Sequence, residues 1–169
     1  MSAFDRTKHA TDRALGWALV ALMGASVVNV LWQVGTRFGS RVIPGLQPSA
    51  VTDEIARYLL IWVGLLGAAY AAGQGMHLAI DLLPGALRGR RRAALGVVIE
   101  AVVIAFALGA MVLGGGWLVA LSFELGQTSS SLGLPLGFVY AVLPLSGLLI
   151  AFYAAHAIAE HRRAWHADA

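Results

Sequence analysis

The sequence predicts an all-α integral membrane protein with four transmembrane helices. Of its 169 residues, 59% are hydrophobic and only 12% are charged, whereas soluble domains are about 45–50% apolar and about 25% charged. The mean hydropathy is +0.74, and the apolar residues are gathered into four long runs. This composition excludes an ordinary soluble enzyme and a disordered chain. We expect residues 1–169 to form a single membrane domain.

Each of the four runs is long enough to cross a bilayer as a helix, which takes about 20 apolar residues. The runs are continuous rather than alternating, which disfavours a β-barrel. The predicted spans are residues 14–35, 55–73, 93–123 and 135–157.

The third run is too long for a simple perpendicular helix. Its 31 residues would extend about 46 Å as an α-helix, against a hydrocarbon core of about 30 Å. The helix must therefore tilt, project from the membrane or break, and Gly114-Gly115-Gly116 is the natural place for a break. We expect a long tilted helix that projects at one end.

The distribution of basic residues predicts the orientation. Nine Lys and Arg residues lie in the N-terminal segment, the second loop and the C-terminal segment. The first loop carries only Arg37 and Arg41, and the third loop carries none. Because cytoplasmic loops are enriched in Lys and Arg, both termini should be cytoplasmic. The first loop contains Pro44 and Pro48, which predict an ordered turn with room for a short interfacial helix.

Residues typical of catalysis or metal binding are scarce. The chain has no cysteine, which removes a thiolate nucleophile and cysteine metal ligands. It also has no phosphate-binding loop, HExxH or GxSxG motif. His77 and Asp81 have a spacing that could supply two metal ligands, but a polar helix end explains them better. We expect no catalytic residue, cofactor or metal in this chain.

Two charged residues, Arg57 and Glu100, lie within the predicted spans, and Asp53 and Glu54 lie just before the second span. Arg57 follows Asp53 by four residues and Glu54 by three, so both pairs can meet on one helical face. They form either an ion-paired helix end at the outer interface or a contact with a partner subunit. Glu100 lies about two turns into the third span and is either a functional intramembrane acid or, the favoured reading, a residue near the headgroups beside Arg92.

Small and kinking residues indicate how the helices pack. Trp62 lies deep in the second span. Small residues at helical spacing permit close packing, either within the four helices or against another protein. Pro135 suits the first turn of the fourth helix, and Pro144 should kink it. The small residues of the second span are Gly64, Gly67, Ala68 and Ala71.

The stretch from Asp53 to Leu83 resembles the small membrane subunit, DctQ type, of TRAP (tripartite ATP-independent periplasmic) transporters. Its acidic start, an aliphatic-Trp pair, a Gly-Ala-Ala segment and a His-hydrophobic-x-hydrophobic-Asp pattern carry the resemblance. Leu134-Pro135 and then Tyr140 and Pro144 in the last helix match as well. The matching residues are Asp53, Glu54, Ile61, Trp62, Gly67, Ala68, Ala69, His77 and Asp81.

The resemblance implies an accessory subunit of a three-part importer in the bacterial inner membrane. A soluble periplasmic protein would bind the solute, often an organic acid, and a large membrane subunit would hold the substrate and sodium sites. The small subunit would pack against the large one and help to dock the binding protein. From their positions, we expect Arg37, Arg41, Asp53 and Gln127 to face the binding protein. Trp62 and the small residues would face the large subunit.

Two alternatives from other classes remain open. A membrane anchor of a respiratory enzyme would need haem-ligating histidines inside the spans, and only His156 comes close, at one end. An autonomous small transporter would need a polar midplane site and broken helices, which four nearly uncharged helices do not supply.

Overall fold

The protein is a bundle of long helices, seen in a computed structural model that describes residues 3–41, 50–74 and 90–167. Four helical stretches are long and apolar enough to cross a membrane, namely Arg6–Gly39, Val51–Gly73, Ala94–Glu124 and Leu136–His161. The predicted all-α class with four spans is therefore confirmed. The elements are α1 (Ala3–Gly39), α2 (Ala50–Gly73), α3 (Arg90–Phe106), a π-helical segment (Ala107–Gly114), α4 (Gly115–Glu124), α5 (Leu136–Tyr140) and α6 (Val142–Ala167).

The helices pack in the order α1, α2, α6, α3, so α1 is peripheral. α1 packs mainly against α2, α2 also packs against α6, and α6 packs against α3 and the π-helical segment. Among the described side chains of α1, only Leu15 is buried. The core lies where α1, α2 and α6 meet, and it consists of Leu15, Leu66, Ala69, Val142 and Tyr153.

The third span is one continuous helix whose middle is π-helical. Gly114 and Gly115 have ordinary right-handed helical dihedral angles, so the break considered at the three glycines does not occur. The buried residues of this stretch are 107, 111 and 115, and the π-helical segment packs against α6.

The fourth span is interrupted near its start. The helical assignment stops after Tyr140 and resumes at Val142. Pro144 has no N–H to donate to the carbonyl of residue 140, four positions earlier, and the next bond, from Leu145 N to Ala141 O, measures 3.3 Å. The predicted effect of Pro144 thus takes the form of a short α5 followed by a long α6. Pro135, expected in the first turn of the fourth helix, occupies the N-cap position one residue before α5 begins.

The two ends of the bundle differ in their connections. We call the end formed by residues 29–41, 52–58 and 125–135 the polar end, and the opposite end, where α1 begins and α6 ends, the terminal end. At the terminal end, Tyr153 Oη of α6 donates a 2.7 Å hydrogen bond to Asp12 Oδ1 of α1, and Lys8 forms an ion pair with Asp12 at 3.5 Å. A partly buried hydrogen bond thus joins α1 and α6, which are not direct neighbours in the packing order.

Several predicted features lie outside the described residues. These are His77, Asp81 and the part of the first loop, residues 42–49, in which a short interfacial helix was expected.

Candidate interaction site at the polar end

Glu54 joins the start of α2 to the loop between α4 and α5. Its Oε1 accepts hydrogen bonds from Tyr58 Oη at 2.6 Å and from the Ser130 N–H at 3.2 Å. Its Oε2 accepts one from the Ser131 N–H at 2.9 Å. Backbone N–H groups and a phenol that converge on one carboxylate form charge-assisted bonds, which are stronger than neutral ones. The loop is therefore fixed to α2 across more than 70 residues of sequence.

The loop itself is a compact turn closed by its own backbone. Ser129 N–H donates to Leu134 O at 2.8 Å, and Leu136 N–H donates to Gln127 O at 2.9 Å. The buried Ser129 Oγ accepts from the Leu132 N–H at 3.1 Å. Gly126 and Gly133 have φ angles of +59° and +64°, a region that side chains disfavour. This turn needs glycine at both positions.

We call the hydrogen bonds from Tyr58, Ser130 and Ser131 to Glu54 the Glu54 clamp. An exposed ion pair lies beside it. Arg57 Nη2 is 2.7 Å from Asp53 Oδ2, and Gln33 Nε2 donates to Asp53 Oδ1 at 3.1 Å. The side chains of Asp53 and Arg57 are 51% and 74% exposed, so solvent screens the pair and it contributes little to stability. The predicted pairing of Arg57 with Asp53 is present. Glu54 instead turns to Tyr58 and the loop, because these offer three donors in place of one guanidinium.

The remaining residues expected to face a partner also lie at the polar end. Arg37 and Arg41 are exposed at the end of α1, and the Arg41 guanidinium lies 5.2 Å above the ring of Phe38. Gln127 is exposed in the loop. The polar end thus gathers exposed charges of both signs and hydrogen-bonding groups, and it is suited to binding a polar surface rather than to covalent chemistry.

The small residues of α2 leave an open stripe. A Cβ added at Gly64 or Gly67 would meet no atom within 4 Å. Ala68 is exposed and Ala71 is half-buried. Trp62 differs, because it packs against the core cluster of this chain. Gly64 and Gly67 are therefore not used for packing within the described chain, which leaves them available to an external helix.

Glu100 lies inside the helix bundle. It is 8% exposed and lies one turn after Gly96, where an added Cβ would come within 2.8 Å of His161 Nε2 of α6. Residues four apart share a helical face, so Glu100 lies on the side of α3 that packs against α6. The described residues contain no group of three or more His, Cys, Asp or Glu able to hold a metal ion.

The sequence reasoning missed some residues of the polar end. Asn29 Nδ2 donates to Thr52 O at 2.8 Å, and together with Gln33 it attaches α1 to the start of α2. A usable signal exists, since Asn29 and Gln33 are polar residues one turn apart in an apolar run. Tyr58 follows Glu54 by four residues, which is also a readable spacing. Ser129 carries no such signal, because its role depends on the folded turn.

Proteins named as TRAP small permeases resemble this chain along most of its length. One from Haemophilus influenzae is 25% identical over 142 residues, covering 84% of this chain and 83% of the relative. The sialic acid TRAP transporter small permease protein of Vibrio cholerae is 26% identical over 138 residues, covering 79% and 72%. The C4-dicarboxylate TRAP transporter small permease protein of Rhodobacter capsulatus is 28% identical over 105 residues, covering 59% and 44%.

The family described as the DctQ component of tripartite ATP-independent periplasmic transporters matches residues 26–164. The match includes the polar end, the open stripe of α2 and the interrupted fourth span. It begins partway along α1, so about the first six turns of that helix lie outside it. The chain belongs to the DctQ family of small TRAP transporter membrane subunits.

Proposed function

We propose that this small permease subunit has two contact surfaces, one for a large transport subunit and one for a periplasmic substrate-binding protein. The polar end would receive the binding protein, and the open stripe of α2 would pack against the large subunit. The complex would drive import of an organic acid with sodium ions bound in the large subunit. The single observation that carries the docking role is the Glu54 clamp, which orders the 125–135 loop beside exposed charges.

The docking role follows from the order and the exposure of the polar end. Loops without internal contacts lose conformational entropy when they bind, whereas the Glu54 clamp has already ordered this one. Asp53 and Arg57 are close to the loop and exposed to a partner. Exposed rim charges mainly steer association and set its salt dependence, which suits a soluble protein that must dock and leave repeatedly.

The packing role follows from the open stripe. Small residues let helix backbones approach closely inside membranes, where van der Waals contact drives association. Gly64 and Gly67 have nothing opposite them within the described chain, and Leu60 on the same face is 72% exposed. A helix of the large subunit would fit against this face.

The substrate class is proposed from relatives. Two of the similar proteins are named for acids, sialic acid and C4-dicarboxylates. An organic acid is therefore the expected cargo, and the described residues of this subunit show no polar midplane site that could select it. Neither alternative, the respiratory anchor or the autonomous transporter, draws support from these similarities.

The docking role is tested by charge reversal at the polar end. Asp53→Lys and Arg41→Glu should each weaken binding of the purified substrate-binding protein and slow uptake by reconstituted complex, with the effect shrinking as salt rises. Glu160→Lys makes the same charge change as Asp53→Lys at an exposed position of the terminal end and serves as the control. If both polar-end variants bind and transport like the wild type, the binding protein does not dock there.

The packing role is tested by filling the stripe. Gly64→Leu and Gly67→Leu should reduce the amount of large subunit recovered with the tagged small subunit in mild detergent. Gly109→Leu is the matched control, since an added Cβ there also meets nothing within 4 Å but the residue lies on a different helix. Equal recovery of the large subunit with all three variants would show that the open stripe is not its contact surface.

A further inference from the structure

A groove between α1 and α2 opens at the terminal end. Its lining includes Asp12, Arg13, Gly16, Trp17, Val20 and Tyr70, and its volume is about 450 Å³. Pockets that bind small molecules usually measure about 300–1,000 Å³. The floor is open because Gly16 has no side chain, and a Cβ there would lie 3.9 Å from Tyr70 Cε2. The groove is thus large enough to hold part of a ligand.

The polarity of the groove changes in one direction along α1. Arg6, Arg13, Trp17 and Val20 lie seven, four and three residues apart, so they share one face of the helix. This face of α1 begins with two exposed cations, continues with Trp17, which is 70% exposed, and ends at the exposed Val20. A phospholipid has the same order of parts, with a phosphate, a polar ester region and an acyl chain.

The charge at the mouth of the groove is positive. Asp12, the acid in the lining, already accepts a hydrogen bond from the Tyr153 hydroxyl and pairs with Lys8. Arg6 and Arg13 form no ion pair within the described residues. Two exposed guanidinium groups outnumber this one carboxylate, whose charge Lys8 already offsets, so the mouth of the groove favours a phosphate over a cationic or neutral headgroup.

We propose that this groove is a binding site for one anionic phospholipid. Arg13, supported by Arg6, binds the phosphate, and one acyl chain lies along Gly16 and Val20 against Tyr70. Basic pockets between transmembrane helices bind anionic headgroups in this way. A transmembrane helix of another protein fits this groove less well, because it would have to carry an acidic side chain at the same point. The surface of this chain that suits close helix packing is instead the open stripe of α2, at Gly64 and Gly67.

The test is a lipid titration followed by native mass spectrometry. The full chain, with whatever subunits accompany it from the native membrane, is titrated with phosphatidylglycerol and with phosphatidylethanolamine of the same acyl chains. Wild-type protein should hold one phosphatidylglycerol more tightly than phosphatidylethanolamine. Arg13→Gln should weaken phosphatidylglycerol binding about fivefold, and Arg13→Lys should restore most of it.

Two further variants separate a specific site from general attraction to lipid. Gly16→Leu should weaken binding of both lipids by filling the groove, without removing a charge. Arg37→Gln removes an exposed cation from the same helix at the polar end and should leave binding unchanged. Equal affinities for both lipids, or equal losses in Arg13→Gln and Arg37→Gln, would overturn the proposal. So would a photo-crosslinker at position 20 that captures a polypeptide instead of lipid.

Discussion

At the scale of single residues, Glu54 determines the form of the polar end. Both oxygens of its carboxylate are used, one by Tyr58 and Ser130 and the other by Ser131. All three groups donate to Glu54, and an ionised carboxylate has enough lone pairs on its two oxygens to accept all of them. Asp53 is the adjacent acid, yet its partners are Arg57 and Gln33. Two neighbouring carboxylates thus have separate roles, one ordering a loop and one facing solvent.

Replacing Glu54 should loosen the loop without unfolding the bundle. In Glu54→Gln the amide NH₂ would face one of the two backbone N–H donors, so at least one hydrogen bond is lost. The amides of Ser130 and Ser131 should then exchange faster in hydrogen–deuterium exchange, while those of α6 keep their wild-type rates. Asp53→Asn is the control, since the partners of Asp53 are Arg57 and Gln33 rather than the loop, and its exchange pattern should match the wild type. Unchanged exchange at Ser130 and Ser131 in Glu54→Gln would show that the clamp does not order the loop.

At the scale of elements, the third and fourth spans both deviate from a regular α-helix, and the two irregular stretches lie close to each other. The π-helical segment ends at Gly114, and a Cβ added at Gly115 would lie 2.8 Å from Leu143 Cδ2 and 3.1 Å from Pro144 Cδ. Pro144 was expected to interrupt its helix because a missing N–H is a local property of the sequence. The π-helical segment was not expected, because its winding depends on which residues must face α6. The three glycines suggested a break, but continuous backbone hydrogen bonding and packing against α6 keep them helical.

Packing against the π-helical segment should make Gly147 intolerant of a side chain. A Cβ at Gly147 would lie 2.7 Å from Met111 Cβ and 3.0 Å from the backbone oxygen of Ala107, and neither atom can move without shifting a helix. Gly147→Ala should therefore lower the free energy of unfolding by about 1–3 kcal/mol.

Gly109 provides the control within the segment itself. It has open space around its Cα, so Gly109→Ala should be neutral or stabilising by up to about 1 kcal/mol. Thermal unfolding in the same detergent compares the two variants. Equal melting temperatures for Gly147→Ala and wild type would mean that α6 and the π-helical segment are not in close contact.

At the scale of the whole molecule, the sequence predicted what local composition determines and missed what distant contacts determine. Four apolar runs were sufficient to predict four long helices. The hydrogen bond from Tyr153 to Asp12 joins residues 141 positions apart, and the bond from Ser131 to Glu54 joins residues 77 apart. The spacing of residues along the sequence does not predict contacts between such distant pairs. Asp53 with Arg57 was predicted correctly because both lie on one helix.

The contact between Tyr153 and Asp12 should matter to the stability of the bundle, because α1 is otherwise held mainly by α2. Tyr153 is buried, and its hydroxyl is the α6 group that reaches Asp12. Tyr153→Phe should lower the free energy of unfolding by about 1–2 kcal/mol. Tyr140→Phe is the control, because no hydrogen bond of that hydroxyl occurs within the described residues. A variant as stable as wild type, with unchanged protease sensitivity in α1, would show that the hydrogen bond does not hold α1.

The orientation of the whole molecule is a separate prediction, and the absence of cysteine makes it easy to test. Nine basic residues in the terminal segments and the second loop, against two in the first loop and none in the third, predict that the terminal end is cytoplasmic. Ser131 and Ala10 are exposed at opposite ends of the bundle. A membrane-impermeant thiol reagent should therefore label Ser131→Cys in spheroplasts, and it should label Ala10→Cys only after the membrane is permeabilised. The cysteine-free wild type measures the background. The reverse pattern would place the polar end in the cytoplasm, where it could not receive a periplasmic protein, and would remove the docking role while leaving family membership intact.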